Sequence, residues 1–320
     1  MTAELLVITP EAELEMAYLT DFQRRKLVRQ NLFYTQEGAR AFYTYRNQDF
    51  TEIRWQDEVA FFQRQPFWSA EDATAFVSLG CGNTAAELPL LRHLHARAPW
   101  AYFGVDSSRA MLALAQETLR DAPFPATLLL ADFTHSDFYA ARDWLLAPYA
   151  TRVYANIGGT FGNFDQAQIA AALRDLIPAG DYLYLDVVPK PEDAEEVAAL
   201  TQRFTQLAAN YRRFFASVLE RLCIPQEYGA VISETGTDPD LDTVRCTFRF
   251  QAREELRFPC FDEMIPLYPG ETLELLTIRA YDGGRLCDFM AGYGFARVDQ
   301  FLPDTGSLSH RWLRLLFQRV

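Results

Sequence analysis

Hydrophobic and polar positions along this chain fall into three textures. In the middle, from "ATAFVSLGCG" onward, short apolar runs alternate with amphipathic stretches. "AYFGVD" precedes "SSRAMLALAQETLRD", "ATLLLADF" precedes "DFYAARDWLLA", "TRVYANIGG" precedes "FDQAQIAAALRDLI", and "DYLYLDVV" closes the series. Each run has the length of a buried strand, and each stretch after it repeats apolar residues at helical spacing. Such alternation predicts a parallel sheet with helices on both faces. Residues 11–65 differ: they are rich in aromatics on an interrupted helical stripe, with Gly38 as the expected break. Residues 192–223 predict one or two long helices. "VRCTFRFQAREEL" and "TLELLTIRAYD" then alternate as antiparallel strands do. A last helix over "GGRLCDFMAGYGF" and two strand-like runs, "ARVDQFL" and "RWLRLLFQRV", follow. The expected architecture is α/β, a nucleotide-type domain interrupted by a smaller α+β subdomain.

The stretch "FVSLGCGNTAAELPLL" holds the first chemical signal. Gly80 and Gly82 end the leading strand, where a loop without Cβ atoms lets backbone approach a ligand and the next helix offers free N–H groups. Pro89 does not belong deep inside a helix, so the regular helix is expected to start near Leu88. Gly80-x-Gly82-x-x-Ala85 also satisfies the dinucleotide-binding pattern, so the glycines alone leave a nicotinamide dinucleotide and S-adenosylmethionine (SAM) both open. Asp106 ends the second strand, 24 residues after Gly82, where an acid accepts hydrogen bonds from both hydroxyls of a ribose. The plain alternative is turn glycines with an aspartate capping the helix after it. The next strand ends at Asp132, placed to face an adenine amino group, with Phe133 beside it to flank the ring. Gly158, Gly159 and Gly162 then keep space open at the fourth strand end. That combination favours methyl transfer over hydride transfer, and here the sequence resembles the class I methyltransferases.

Composition narrows the partners. Among 320 residues, Asp and Glu number 43 against 30 Lys and Arg, a formal charge of -13. A polyanion is repelled by such a surface, so nucleic acid is not an expected partner. The five cysteines are scattered without CxxC spacing, and the four histidines form no cluster, so no metal site and no disulfide framework is expected. No segment reads as a signal peptide or a bilayer span, which points to a cytoplasmic protein.

The likeness tightens over most of the chain. "NLFYTQEGARAF", "LGCGNTAAELPLL", "YANIGGTFGNFDQAQIAAALRDLIPAGDYLYLDVVPK" and "YPGETLELLTIRAYD" resemble, in order, four segments of the histidine Nα-methyltransferases of ergothioneine biosynthesis. The resemblance implies a Rossmann-like class I methyltransferase sheet formed by residues 66–191 and 276–320. It implies a substrate-binding subdomain formed by residues 1–65 and 192–275. SAM would be the cofactor and S-adenosylhomocysteine its product. Gly80, Cys81 and Gly82 would approach the cofactor, Asp106 and Ser107 would lie at its ribose, Asp132 and Phe133 at its adenine, and Gly158 at its methionine end. Asn163 and Tyr34 would handle the acceptor amino acid. Each has a structural alternative: Asn163 as a helix cap, Tyr34 as a core aromatic.

The departures bear on the substrate. Where the family grips an imidazole with Glu and Ser, counting from Gly270-Glu271, this chain has Leu276 and Ile278. A buried imidazole needs polar partners, which these residues lack. Histidine is therefore not the expected substrate, and the pocket is expected to be apolar and aromatic, taking a less polar amine, amino acid or peptide-like metabolite. An ammonium acceptor must lose a proton to a nearby carboxylate, tyrosine or water. O- or C-methylation of a small molecule, a catalytically silent SAM-binding protein, and an NAD-dependent oxidoreductase stay open as rivals.

Overall fold

The computed structural model describes residues 3–25, 27–34, 38–40, 54–65, 73–96, 100–210, 212–238, 241–260, 263–303 and 312–320. Its centre is β2 (Thr74–Leu79), buried at every position. β3 (Trp100–Asp106) and then β4 (Ala126–Leu130) lie on one side of it, and β5 (Thr151–Asn156) and then β6 (Tyr182–Pro189) on the other, all parallel. β13 (Leu313–Arg319) runs antiparallel between β6 and β12 (Phe295–Phe301). The order is thus β4-β3-β2-β5-β6-β13-β12, and the chain reverses direction between β2 and β5. In an open sheet of this kind, ligands bind beyond the carboxyl ends of the strands at that reversal.

Apolar residues on both faces explain why these strands read as unbroken hydrophobic runs. Phe76, Tyr102, Leu128, Val153 and Tyr184 face one core, and Val77, Phe103, Leu129, Tyr154 and Leu183 the other. The first core is covered by α2 (Arg54–Gln63), α3 (Leu88–His95) and α4 (Arg109–Thr118), through residues such as Phe62, Leu91 and Leu112. The second is covered by α5 (Ser136–Leu145), α6 (Gln166–Leu176) and α9 (Gly283–Ala291), through Phe138, Leu173 and Met290. This is the Rossmann-like arrangement that the alternation predicts. α3 starts at Leu88 with Pro89 in its first turn, where its missing N–H costs nothing.

A second, antiparallel sheet is built from β7 (Gly229–Asp238), β8 (Thr243–Ala252) and β11 (Thr272–Tyr281). A hairpin of β9 (Leu256–Cys260) and β10 (Glu263–Leu267) accompanies it. Of the one or two long helices expected over 192–223, two are found, α7 (Ala194–Asn210) and α8 (Arg212–Arg221). Phe215 of α8 packs on Phe248 of β8, with ring centroids 5.5 Å apart, and Phe214 stacks on Phe33 at 4.7 Å. The two sheets meet on one strand. Near its carboxyl end β6 also pairs with β11, Val188 opposite Ala280 and Pro189 opposite Tyr281.

Several features differ from the sequence expectation. The interruption expected at Gly38 comes earlier, because α1 (Glu11–Arg25) ends before a 3-10 turn over Gln30–Phe33. Gly38 is required for another reason: a Cβ there would fall 1.8 Å from the Phe33 carbonyl oxygen. β1 (Glu4–Val7) is a parallel edge strand beside β4, too short and too exposed to show periodicity. The boundary expected at 275/276 falls inside β11, whose pairing with β8 runs on to Ala280. A β-bulge lies between Glu274 and Leu276, so residues 274, 277 and 279 share one face of the strand.

Candidate functional site

The carboxyl ends of β2 to β5 converge on one crevice, and loop geometry there is set by buried polar groups. After β2 the chain bends through Gly80 (φ 76°) and Gly82 (φ 55°), conformations that glycine adopts without strain. The N–H groups of Gly80 and Cys81 both donate to the Val105 carbonyl, at 2.9 and 3.0 Å, which holds the bend against β3. A Cβ on Gly82 would lie 3.1 Å from the Met111 methyl, and one on Gly80 would touch Thr160. The bend is therefore narrow on its protein side.

Asp106 stands where β3 ends. Its Oδ2 accepts the Gly82 N–H at 2.9 Å and its Oδ1 the Ser108 N–H at 2.8 Å. Burial pushes its carboxyl up to about 6, against the pull of the Ser108, Gly82 and Ser107 N–H groups. The helix cap is Ser108, whose Oγ accepts the Met111 N–H, so capping is not the task of Asp106. Ser107 hydrogen-bonds the Tyr18 hydroxyl. Cys81 sends its thiol inward, hydrogen-bonded with Tyr102 and Thr84, and burial holds that thiol well above its ordinary range. It reaches the crevice only through its backbone.

At the end of β4, Asp132 Oδ1 accepts from the Thr134 N–H and hydroxyl, at 2.9 and 2.6 Å. Its Oδ2 accepts the Tyr18 hydroxyl at 3.2 Å. Tyr18, from α1, is thus a crevice residue that nothing in its local sequence signals. Burial, and after it the charge of Asp132, raises its hydroxyl far above the usual tyrosine range. Phe133 is buried and packs edge-on against Phe164, centroids 5.8 Å apart.

The loop after β5 is fixed from two sides. Asn156 donates to the Leu79 carbonyl at 3.0 Å and accepts the Phe161 N–H at 2.7 Å, stapling the end of β2 to the 3-10 helix Thr160–Asn163. Gly158 (φ 96°) and Gly159 (φ 75°) both donate their N–H groups to Asp186 Oδ1, at 2.7 and 3.1 Å. Asp186, on β6, is fully buried, and Arg314 of β13 stands directly across the ladder from it. Asn156 and Asp186 are site-building residues that sequence reasoning missed. Both lie inside the quoted glycine and strand segments, but their partners are remote in sequence.

Asn163 lines a cavity of about 350 Å³ along the edge of β11. Asp165 caps α6 by accepting the Gln168 N–H, so Asn163 is not the cap. The opposite wall comes from Leu27–Arg29, where the Val28 N–H donates to the Glu274 carbonyl at 2.9 Å. Leu276 lines the cavity and Ile278 does not; Glu274, Thr277 and Arg279 do. The apolar lining expected from Leu276 and Ile278 is thus replaced by a mixed one, because the bulge turns Glu274 onto the face of Thr277 and Arg279. Tyr34 lies outside this lining. The Ser108 hydroxyl donates to its carbonyl at 2.6 Å, and its ring packs on Phe214 at 5.3 Å.

Among the described residues, no group of three or more His, Cys, Asp or Glu is placed to hold a metal ion. No described helix is long and apolar enough to cross a membrane. The residues present fit an adenosyl cofactor: a side-chain-free bend, a buried acid at the adjacent strand end and a second acid one strand further.

The family model described as "Histidine-specific methyltransferase, SAM-dependent" matches residues 16–314. No curated protein matches the chain in sequence. Among solved structures, a SAM-dependent methyltransferase from Clostridium acetobutylicum ATCC 824 is similar at TM-score 0.44 and 11% identity, over 86% of this chain and 96% of that one. An amino pentose methyltransferase from Micromonospora echinaspora, solved with SAM bound, is similar at TM-score 0.42 and 14% identity, over 88% and 96%. A 1,6-didemethyltoxoflavin-N1-methyltransferase from Burkholderia thailandensis gives TM-score 0.44 and 10% identity, over 97% and 88%.

Proposed function

The chain belongs to the family of histidine-specific, SAM-dependent methyltransferases, and we propose that it methylates the amino group of an amino acid or amine other than histidine. SAM supplies an activated methyl group on a sulfonium, and S-adenosylhomocysteine is the product. What the chain must do is bind, align and exclude water.

In this reading Asp106 accepts from the ribose hydroxyls, with Ser107 beside it. Asp132 and Phe133 bound the adenine. Gly80 and Gly82, with Cys81 between them, leave room for backbone approach, and Gly158 does the same at the methionine end. Because Asp186 consumes the Gly158 and Gly159 N–H groups, that turn offers shape rather than donors. Asn163 orients the acceptor from the cavity wall, and Tyr34, outside that lining, serves the acceptor only from the side of Ser108 and Phe214.

One observation carries the choice of acceptor. Leu276 is 6% exposed, within an apolar cluster, and Ile278 packs against that cluster. Of the two, Leu276 alone lines the cavity. It supplies no donor or acceptor, so an imidazole edge set against it would lose its hydrogen bond to water without replacement. The polar groups of the lining, Glu274, Thr277 and Arg279, stand at other positions than the two with which the family's histidine binders grip the ring. The thiols of Cys81, Cys223, Cys246 and Cys287 are unpaired, which supports a reducing, cytoplasmic setting.

Two measurements test this. Calorimetry with S-adenosylhomocysteine and with NADH should give binding of the first alone. Incubation with SAM and histidine, followed by mass spectrometry, should give no methylated histidine. Efficient trimethylation of histidine would show the acceptor assignment to be wrong.

A further inference from the structure

The acids at the ends of β3 and β4 are joined by a side chain from a third element. Asp106 and Leu130 are register partners, and the Ala131 N–H donates to the Asp106 carbonyl at 3.0 Å, so Ser107 and Asp132 are neighbours across the two strand ends. Tyr18 spans them. Its hydroxyl donates to Asp132 Oδ2 at 3.2 Å and hydrogen-bonds the Ser107 side chain. α1 is held on both sides of that hydroxyl. Glu11 pairs with Arg109 at 3.2 Å, and the Phe22 ring packs on Phe258, centroids 5.4 Å apart. Tyr18 itself is 4% exposed.

A phenol has one proton, and this one goes to Asp132. Ser107 must therefore supply the proton of its own bond to Tyr18, and the chain runs one way, from Ser107 through Tyr18 to Asp132. Burial and the charge of Asp132 keep the phenol protonated, so the direction does not reverse. At the far end, Asp132 Oδ1 is filled by the N–H and hydroxyl of Thr134. Oδ2 keeps one acceptor site beyond the Tyr18 bond. Asp106 is a carboxylate at neutral pH and likewise only accepts. The crevice wall from Asp106 to Asp132 thus offers acceptors alone. A ligand lying along it must present donors, as adenosine does with two ribose hydroxyls and a 6-amino group. A 6-oxo purine would set a carbonyl oxygen against the Asp132 carboxylate.

We propose that Tyr18 is the positioning residue for base selection: by directing this chain onto Asp132 it makes the site accept a 6-aminopurine and reject a 6-oxopurine. The proposal rests on the cofactor reading above and adds to it the residue that imposes the choice. Tyr18 acts on the base through Asp132 and Ser107.

The experiment measures, by calorimetry on the full-length protein, the affinities of S-adenosylhomocysteine and of S-inosylhomocysteine, its 6-oxo analogue. The wild type should bind the inosyl compound on the order of a hundredfold more weakly, as expected when a charge-assisted hydrogen bond gives way to two opposed acceptors. Tyr18→Phe frees the Ser107 proton for the ligand and releases Asp132 Oδ2. Affinity for S-adenosylhomocysteine should fall about tenfold while that for the inosyl compound holds, so the ratio between them drops to about tenfold. A helix that merely packs over the crevice predicts another pattern, with both compounds weakened alike and the ratio kept. Should Tyr18→Phe not fold, Ser107→Ala breaks the same chain at its start. The Tyr18 proton can then turn toward the ligand, and the ratio should fall severalfold. An unchanged ratio in the folded variant overturns the proposal, as does a wild type that binds both compounds equally, and either result leaves the cofactor assignment standing. Absence of S-adenosylhomocysteine binding by the wild type would overturn both.

Discussion

Gly82 donates its N–H to Oδ2 of Asp106 at 2.9 Å, which ties the bend after β2 to the acid that ends β3. The other carboxylate oxygen takes the Ser108 N–H. Each oxygen therefore faces a backbone donor before any ligand arrives. Asp106→Asn must turn an NH2 group toward one of those donors. We expect S-adenosylhomocysteine affinity to fall on the order of tenfold to a hundredfold, measured by calorimetry. An unchanged affinity would remove Asp106 from the cofactor site.

The same acid sets a pH dependence. Burial raises the Asp106 carboxyl to about 6, so it takes up a proton as pH falls through that value. Protonation removes the charge and one acceptor, and the cofactor loses its ribose partner. Affinity for S-adenosylhomocysteine should thus be full at neutral pH and decline below about 6, approaching tenfold per pH unit. The decline should vanish in Asp106→Asn. A profile flat down to pH 5 in the wild type would contradict this.

Asn156 uses both ends of its amide, on Leu79 and on Phe161. Asn156→Ala leaves a buried carbonyl and a buried N–H unpaired, each worth about 1–3 kcal/mol. Urea denaturation should show that loss. Asn156→Asp should fare no better, because a carboxylate oxygen would face the Leu79 carbonyl.

Gly159 sits at φ 75°, and a Cβ there would lie 3.1 Å from the Trp312 ring. Gly159→Ala should lose about 1–2 kcal/mol from the left-handed backbone alone, with more from the contact. The readout is again the urea midpoint. Gly180→Ala is the control, since its φ is 92° and a Cβ there meets nothing within 4 Å; it isolates the backbone cost from the contact.

Tyr18 reaches Asp132 from α1. Tyr18→Phe removes the hydroxyl's hydrogen bonds with both Asp132 and Ser107 and should weaken S-adenosylhomocysteine binding by about tenfold, at about 1 kcal/mol for each hydrogen bond lost, measured by calorimetry.

The central strands were legible because burial on both faces writes a continuous apolar run, as in "TAFVSL", and the glycine bend and Asp106 were legible because turn chemistry and strand ends are local. What escaped was long-range. Nothing near Tyr18 points to Asp132, 114 residues away, and nothing near Asp186 points to Gly158. The bulge at Glu274 escaped for another reason. One extra residue in a strand inverts every later in-or-out assignment, so reading "TLELLTIRAYD" as simple alternation groups Glu274 with Leu276 and Ile278, where the structure groups it with Thr277 and Arg279.

β6 runs unbroken from Tyr182 through Pro189, bonded first to β5 and β13 and then to β11. The two halves of the molecule are thereby threaded on one rigid beam, and flexing it between Val187 and Pro189 would break its pairing with β13 or with β11. Any give at the crevice accordingly falls to elements outside this beam, such as α1, which is held at the crevice through Tyr18 on Asp132 and Glu11 on Arg109.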